Sequence, residues 1–172
     1  MKAVGNGTPA AAGRPKFTEI ERKFLPAHDG WRALPATRLH IRQGYLCLDP
    51  ERTVRVRLCE GRAFLTVKGK NRGAARAEFD FPIPEQDGLL LLERLALRPF
   101  VEKIRRRIEL GALVWEVDEF AGENSGLVLI EVELEDENAP LVLPDWVGRE
   151  VTGDPRWANS ALVREPFSRR RA

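Results

Sequence analysis

Charged side chains recur at every second position in several segments of this chain, first in the sequence EIERK at residues 19–23. On a β-strand this spacing places Glu19, Glu21 and Lys23 on one face, while Ile20 lies on the other. Two carboxylates at positions i and i+2 of one strand lie about 7 Å apart and repel each other. Such a pair therefore suggests a strand face that binds a cation.

A second acidic pair has the same spacing. In the segment LIEVEL at residues 129–134, Glu131 and Glu133 share a face opposite apolar residues. Together with Glu19 and Glu21 they would form an oxygen-rich site, and hard divalent cations prefer oxygen ligands. The sequence has no cluster of His and Cys residues that would favour zinc. We therefore expect the site to bind Mg²⁺ or Mn²⁺.

Basic side chains follow the same period on other segments. Arg55 and Arg57 alternate with valines, Lys68 alternates with Val67 and Leu65, and Lys103 and Arg105 flank an isoleucine. A guanidinium group binds phosphate oxygens through two parallel hydrogen bonds, whereas a lysine ammonium acts as a point charge. An acidic site for a metal beside a basic lining is suited to binding a chain of phosphates.

The alternation predicts eight strands. They cover residues 16–25, 38–48, 52–60, 62–69, 74–83, 98–110, 112–120 and 127–135. Helices are predicted over 85–97, which is rich in leucine, and over 155–164, where Asp154 and Pro155 form a typical helix start. Eight antiparallel strands can close into a barrel. The predicted fold class is α+β: an eight-stranded antiparallel β-barrel with a charged interior and a few helices packed outside.

A sheet with one solvent-exposed face would also show polar and apolar alternation. Its exposed positions would normally include Ser, Thr and Gln, whereas here nearly all of them are Arg, Lys, Glu or Asp. The acids also occur in pairs on single strands instead of alternating with bases. We therefore favour an interior lined by the charges, and we expect Tyr45 to pack within the sheet.

Composition limits the class of protein. The 172 residues are 43% hydrophobic and 31% charged, with 28 Lys and Arg against 26 Asp and Glu. This near balance of charge argues against a nucleic-acid partner. No segment reaches the ~18 apolar residues of a membrane span, and no signal peptide is visible. We expect a cytoplasmic protein whose two cysteines, Cys47 and Cys59, are reduced thiols.

The chain divides into three predicted segments. Residues 1–15 are rich in Gly, Ala and Pro and are expected to form a disordered leader. Residues 16–166 contain all the predicted strands and helices and are expected to form one domain. Residues 167–172 form a basic tail. The sequence leaves open whether the protein is a monomer or a homodimer.

The segment EIERK resembles the E-x-E-x-K signature of the CYTH, or triphosphate tunnel metalloenzyme, superfamily. Further segments resemble the family in the family's order: RQGYL (42–46), VRVR (54–57), LTVKG (65–69), EFD (78–80), VEKIR (101–105), WEVDEF (115–120), IEVEL (130–134) and EVT (150–152). The chain most resembles the short bacterial members that hydrolyse inorganic tripolyphosphate.

The resemblance implies an eight-stranded antiparallel tunnel that holds a triphosphate. It implies metal binding by Glu19, Glu21 and Glu133, with Glu131 and Asp118 close by. It implies phosphate binding by Arg55, Arg57, Lys68, Lys103 and Arg105. It also implies that Lys23 contacts the substrate or places the attacking water, so that Lys23, Glu21 and Glu133 are the expected catalytic residues.

Three functions remain open at this point. Metal-dependent hydrolysis of a triphosphate is favoured, with inorganic tripolyphosphate giving pyrophosphate and orthophosphate. The same fold could act on an organic triphosphate, as a class IV-type adenylyl cyclase or a thiamine triphosphatase. The third alternative is a non-catalytic module that binds polyphosphate or nucleotides. Anion binding alone would not need the acidic pairs, which is why we favour a metal-dependent enzyme.

Overall fold

The computed structural model describes residues 18–70 and 74–170. The predicted leader, residues 1–15, and the last two residues of the predicted tail lie outside this part of the chain. Nine strands are present in it: β1 (Thr18–Pro26), β2 (Thr37–Asp49), β3 (Arg52–Cys59), β4 (Arg62–Gly69), β5 (Ala75–Ile83), β6 (Val101–Leu110), β7 (Leu113–Phe120), β8 (Val128–Glu133) and β9 (Val147–Glu150).

The first eight strands close into an antiparallel barrel. Their order is β5-β4-β3-β2-β6-β7-β8-β1, and the barrel closes because β1 pairs with β8 and also with β5. The β1–β8 register sets Glu21 opposite Glu133, and the shorter β1–β5 register sets Glu19 opposite Arg76. The predicted eight-stranded barrel is confirmed.

The ninth strand was not predicted. Strand β9 spans four residues and pairs with the end of β1, outside the barrel. It is too short to show a clear alternation and contains Gly148, a residue that weakens a strand prediction. The glycine is required here because a Cβ at this position would lie 2.9 Å from the Leu25 carbonyl oxygen. The extra strand therefore depends on close backbone approach rather than on a hydrophobic pattern.

The helices are shorter than predicted. Helix α1 spans Glu85–Arg94, and Leu97 donates its backbone N–H to the Tyr45 carbonyl oxygen on β2 instead of continuing the helix. The second predicted helix is interrupted at Ala158, which has an extended conformation between a 3₁₀ turn at Pro155–Trp157 and helix α2 (Asn159–Arg164). Within the described residues we find no helix with the length and hydropathy to cross a membrane.

One apolar cluster, the outer cluster, covers the outside of β1, β7 and β8. The Trp115 ring lies 5.7 Å from the Trp146 ring and 6.1 Å from the Phe24 ring, measured between centroids. The segments before β2 and before β9 supply Trp31 and Trp146, both of which are buried. Burying these apolar strand faces leaves the opposite, charged faces directed into the barrel.

A second cluster, the inner cluster, lies at one end of the barrel interior. It consists of Tyr45, Val101, Phe120, Leu127, Leu129, Leu162 and Val163. Phe120 is directly opposite Lys103, and Leu129 is directly opposite Asp118, so these apolar side chains share a face with interior charges. Helix α2 contributes Leu162 and Val163 to this end. The interior is therefore charged along most of its length and apolar where α2 packs.

Candidate active site inside the barrel

A cavity of about 1560 Å³ occupies the barrel and is lined by charged side chains from all eight of its strands. The lining includes every predicted site residue except Asp118, which is fully buried beside it. Period-2 alternation explains this convergence, because each strand directs alternate side chains inward. The charged residues of the cavity lining are Glu19, Glu21, Lys23, Arg55, Arg57, Lys68, Arg76, Glu78, Asp80, Lys103, Arg105, Arg107, Glu116, Glu131 and Glu133, with further charges near the ends.

The carboxylates of Glu19, Glu21 and Glu133 lie on the adjacent strands β1 and β8 and form the acidic wall of the cavity. Glu133 is an exposed residue at the end of β8, yet partial desolvation raises the pKa of its carboxyl, and repulsion from Glu19, Glu116, Glu21 and Glu78 raises it further. A carboxylate whose pKa is raised by several other carboxylates lies where the local potential is negative. A bound cation would relieve that repulsion.

Lys23 lies among these acids. Its Nζ is 2.9 Å from Glu21 Oε1 and also donates to Glu131. Burial lowers the pKa of Lys23, but the Glu131 and Glu21 carboxylates outweigh burial and leave the pKa raised. Lys23 is therefore a permanent cation in contact with the acidic wall, and it cannot act as a base near neutral pH.

Asp118 and Glu131 are held by basic residues. Asp118 is fully buried, accepts a hydrogen bond from Lys103, and accepts two more from Arg105 at 2.7 Å. Glu131 accepts from Arg105 at 2.6 Å and from Lys23. Despite burial, Lys23, Lys103 and Arg105 hold the pKa of Glu131 well below its usual range. Both predicted metal ligands are thus ionised, and both are occupied by protein cations.

Lys68 bridges two acids on opposite sides of the β1–β5 junction. Its Nζ lies 3.1 Å from Glu19 and 2.7 Å from Glu78. Burial lowers the pKa of Lys68, and repulsion from Arg55 and Arg76 adds to the effect. Glu19 is also bound by Arg76 at 2.6 Å. Glu19, a predicted metal ligand, is therefore bound by two basic residues, the predicted phosphate binder Lys68 and Arg76.

Arg55 and Arg57 form the opposite, basic wall. Arg57 Nη2 donates to Asp80 at 2.9 Å, and Arg55 Nη2 donates to Thr66 at 3.3 Å. Their two Nε–H groups are buried and have no hydrogen-bond partner among the described residues. Burial lowers the pKa of Arg57, and the neighbouring charge of Arg55 lowers it further. The basic wall therefore carries two N–H donors to which an anion could bind.

Sequence reasoning missed some cavity residues. Arg76 on β5 and Glu116 on β7 line the cavity and were not predicted as site residues. Each lies two residues before an acid on the same strand face, Glu78 and Asp118, so the same period could have placed them in the cavity. Tyr45 packs in the inner cluster, as predicted, and also lines the cavity. Gln43 was missed because a single amide on a strand carries no charge pattern.

The residues present fit a hard cation in chemistry. Within residues 18–70 and 74–170, no three His, Cys, Asp or Glu side chains already form a ligand set that could hold a metal ion. Glu19, Glu21 and Glu133 nevertheless supply only carboxylate oxygens, and partial desolvation together with repulsion among acids raises the pKa of Glu133. Lys68 and Arg76 bind Glu19 and Lys23 contacts Glu21, so a bound metal would share these carboxylates with protein cations or displace them.

Comparison with known proteins identifies the family. The chain is 47% identical over 149 residues to an inorganic triphosphatase of Acetivibrio thermocellus, covering 87% of this chain and 95% of the relative. It is 38% identical over 155 residues to an inorganic triphosphatase of Nitrosomonas europaea, covering 86% and 97%. A solved structure of an inorganic triphosphatase superposes with a TM-score of 0.60 at 36% identity, covering 84% of this chain and 93% of that one. The CYTH domain model matches residues 18–157, and the chain belongs to the CYTH family.

Proposed function

We propose that this protein hydrolyses inorganic tripolyphosphate to pyrophosphate and orthophosphate inside the barrel, with a divalent cation. The observation that carries the proposal is one cavity with two unlike walls. Glu19, Glu21 and Glu133 face it from β1 and β8, while Arg55 and Arg57 face it from β3. Two relatives that span nearly the same length are named inorganic triphosphatases, which supports the substrate class.

The acidic wall is the proposed metal site. Glu19, Glu21 and Glu133 would hold Mg²⁺ or Mn²⁺, with Glu131 and Asp118 beside them. When bound, the cation supplies charge neutralisation at phosphate oxygens and lowers the pKa of a coordinated water. Because Lys23 contacts both Glu21 and Glu131, it is placed to donate a hydrogen bond to a phosphate oxygen or to the attacking water.

The basic residues position the phosphate chain. Arg55, Arg57 and Lys68 line the cavity from β3 and β4, and Lys103 and Arg105 line it from β6. Fixed donors around a bound triphosphate stabilise the charge that spreads over the equatorial oxygens during transfer. Arg105 bridges Asp118, Glu116 and Glu131, so its guanidinium is rigidly placed before substrate arrives.

Release of orthophosphate from tripolyphosphate, ATP and thiamine triphosphate tests the proposal, each with Mg²⁺, Mn²⁺ or EDTA. We expect metal-dependent release from tripolyphosphate and its loss in Glu21→Ala. The matched control is Glu150→Ala, which removes a carboxylate that binds Arg22 at 2.5 Å outside the cavity. Full activity in Glu21→Ala, or cyclic AMP formed from ATP in place of orthophosphate release, would refute the proposal.

A further inference from the structure

Gln43 on β2 has a buried amide without a partner. The residue is 1% exposed and lines the cavity. Neither its Nε2 nor its Oε1 makes a hydrogen bond to any described residue. Most buried side-chain polar atoms in proteins are hydrogen-bonded, so an amide in this state requires an explanation. Gln43 also belongs to the RQGYL segment, to which the triphosphatase mechanism above gives no role.

The position of Gln43 faces the acidic wall. Around the closed barrel, three strands separate β2 from β1 in either direction, so the two strands lie on opposite sides of the cavity. Gln43 is directly opposite Arg57 in the β2–β3 register, and Tyr45 is directly opposite Arg55. Directly opposed residues of an antiparallel pair have Cβ atoms about 5 Å apart on one face. The amide therefore stands beside the two arginines.

Four buried, unpartnered polar atoms belong to this group of residues. They are the Nε of Arg55, the Nε of Arg57, and both amide atoms of Gln43. Three of the four are nitrogen donors, and they lie on adjacent strands at neighbouring register positions. An oxyanion is the ligand class that satisfies several converging N–H donors at once.

We propose that Gln43 is a substrate-binding residue whose carboxamide donates a hydrogen bond to a phosphate oxygen on the side of the triphosphate chain that faces away from the carboxylates. This inference rests on the function proposed above. A neutral donor suits this position because the basic wall already carries closely spaced positive charges. Burial lowers the pKa of Arg57, Lys68 and Lys103, and repulsion from neighbouring arginines lowers it further.

Substitution by an apolar residue of similar length distinguishes this role from a structural one. Gln43→Met removes the hydrogen-bonding atoms and nearly preserves the volume. A buried amide without a partner does not stabilise the unliganded protein, so we expect its thermal unfolding temperature to be unchanged or raised. Tripolyphosphate binding should weaken by about tenfold or more, the effect of losing one hydrogen bond to a charged group.

The measurement is calorimetric titration with tripolyphosphate in EDTA, which excludes any metal contribution. Gln86→Met is the matched control, because Gln86 is exposed on α1 and lies outside the cavity lining. Gln43→Leu provides a second apolar variant if Gln43→Met does not fold. A dissociation constant within twofold of wild type in the folded variant would overturn the proposal, and so would a lowered unfolding temperature with unchanged affinity.

The two proposals fail separately. Wild-type protein that binds tripolyphosphate without releasing orthophosphate refutes the hydrolase proposal, while weaker binding by Gln43→Met still supports the role of Gln43. Wild-type protein that hydrolyses tripolyphosphate, with affinity unchanged in Gln43→Met, refutes only the inference about Gln43. Wild-type protein that does not bind tripolyphosphate overturns both.

Discussion

Asp118 shows how individual residues in this barrel are held by opposite charges. It is fully buried and contacts both Lys103 and Arg105, which are themselves largely buried. Removing one partner of a buried ion pair leaves the other charge buried without compensation. The free energy lost in this way exceeds the net stabilisation that the intact pair supplied. Asp118 therefore fixes two predicted phosphate binders, whether or not it also binds a metal.

We predict that Asp118→Ala lowers the free energy of unfolding by about 3 kcal/mol or more, because it removes the ion-pair partner of the buried Lys103 and one of the three carboxylates that hold Arg105. Denaturant unfolding measures this. Glu123→Ala is the control: Glu123 pairs with Arg169 at the surface, where both side chains are about half exposed, and should cost less than ~1 kcal/mol. Equal effects of the two substitutions would contradict the structural role of Asp118.

Glu133 gives a prediction for pH. Its pKa is raised by partial desolvation and by neighbouring acids, so the folded protein takes up a proton more readily than the unfolded chain. The stabilisation from this proton is complete below the unfolded pKa and is lost as pH rises through the raised folded pKa. Glu133→Gln should therefore raise the unfolding temperature at pH 7 in EDTA and give no gain at pH 4.

The same substitution should weaken metal-stimulated activity at pH 7, since it removes a proposed ligand. Thermal unfolding across pH, together with orthophosphate release, checks both effects. Glu135→Gln on the same segment is a useful comparison, because Glu135 lies beyond the end of β8 and outside the proposed ligand set. A lowered unfolding temperature for Glu133→Gln at pH 7 would contradict the described repulsion.

Most charged residues of the cavity lining could be predicted because they repeat at period 2 on strongly charged strands. The inward direction of Glu19, Glu21 and Glu133 follows from that pattern, while their role as metal ligands stays a prediction. The pairing of Asp118 with Arg105 could not be predicted, because it depends on the register between β6 and β7. The unpartnered amide of Gln43 likewise depends on which neighbours three-dimensional packing supplies.

At the scale of elements, α1 reaches the barrel through two glycines. A Cβ at Gly88 would lie 2.5 Å from the Ala63 Cβ on β4. A Cβ at Gly44 on β2 would lie 2.7 Å from the Ala96 Cβ and 2.8 Å from Leu92 Cδ2. Helix and sheet thus approach too closely for any side chain at these two positions. The glycine of the RQGYL segment is accounted for by helix packing.

We predict that Gly44→Ala lowers the free energy of unfolding by about 1–3 kcal/mol through overpacking against α1 and the turn that follows it. Gly69→Ala on β4 is the control, since a Cβ there would meet its nearest neighbour at an ordinary 3.5 Å. Denaturant unfolding of both variants measures the difference. A Gly44→Ala variant as stable as Gly69→Ala would show that α1 can shift outward without cost.

The boundaries of elements could be predicted where the alternation is long, and the prediction failed where the alternation is short. Strands β2 to β7 each have at least eight residues of pattern, and their predicted positions are close to those found. Strand β9 and the break at Ala158 each depend on a few residues whose conformation is set by tertiary hydrogen bonds. One such bond joins the Val151 N–H to the Lys23 carbonyl oxygen at 2.8 Å.

At the scale of the whole molecule, the barrel balances its own interior charges with ion pairs. Lys68 holds Glu19 and Glu78, and Arg105 holds Glu116, Asp118 and Glu131. A ligand that binds the folded barrel and not the unfolded chain shifts the folding equilibrium by mass action. Metal and triphosphate together would replace these internal pairs with new ones.

Tripolyphosphate with Mg²⁺ should therefore stabilise the protein by about 2.7 kcal/mol at a ligand concentration one hundred times its dissociation constant. A rise in the thermal unfolding temperature measures this, and EDTA should remove the metal's share. Arg57→Ala should reduce the rise, whereas Arg62→Ala, an exposed arginine outside the cavity lining, should not. An unfolding temperature that does not respond to tripolyphosphate would contradict binding inside the barrel.

The double pairing of β1 also constrains the order in which the chain can fold. Lys23 on β1 and its partner Glu131 on β8 are 108 residues apart in sequence, and Arg22 and Glu150 are 128 apart. The loop entropy of such distant contacts makes their formation slow. During synthesis, β2 to β7 can pair with neighbours as they leave the ribosome, and β1 can pair with β5, but the contact between β1 and β8 must wait for β8. The pairing of β1 with β8 therefore closes the barrel last.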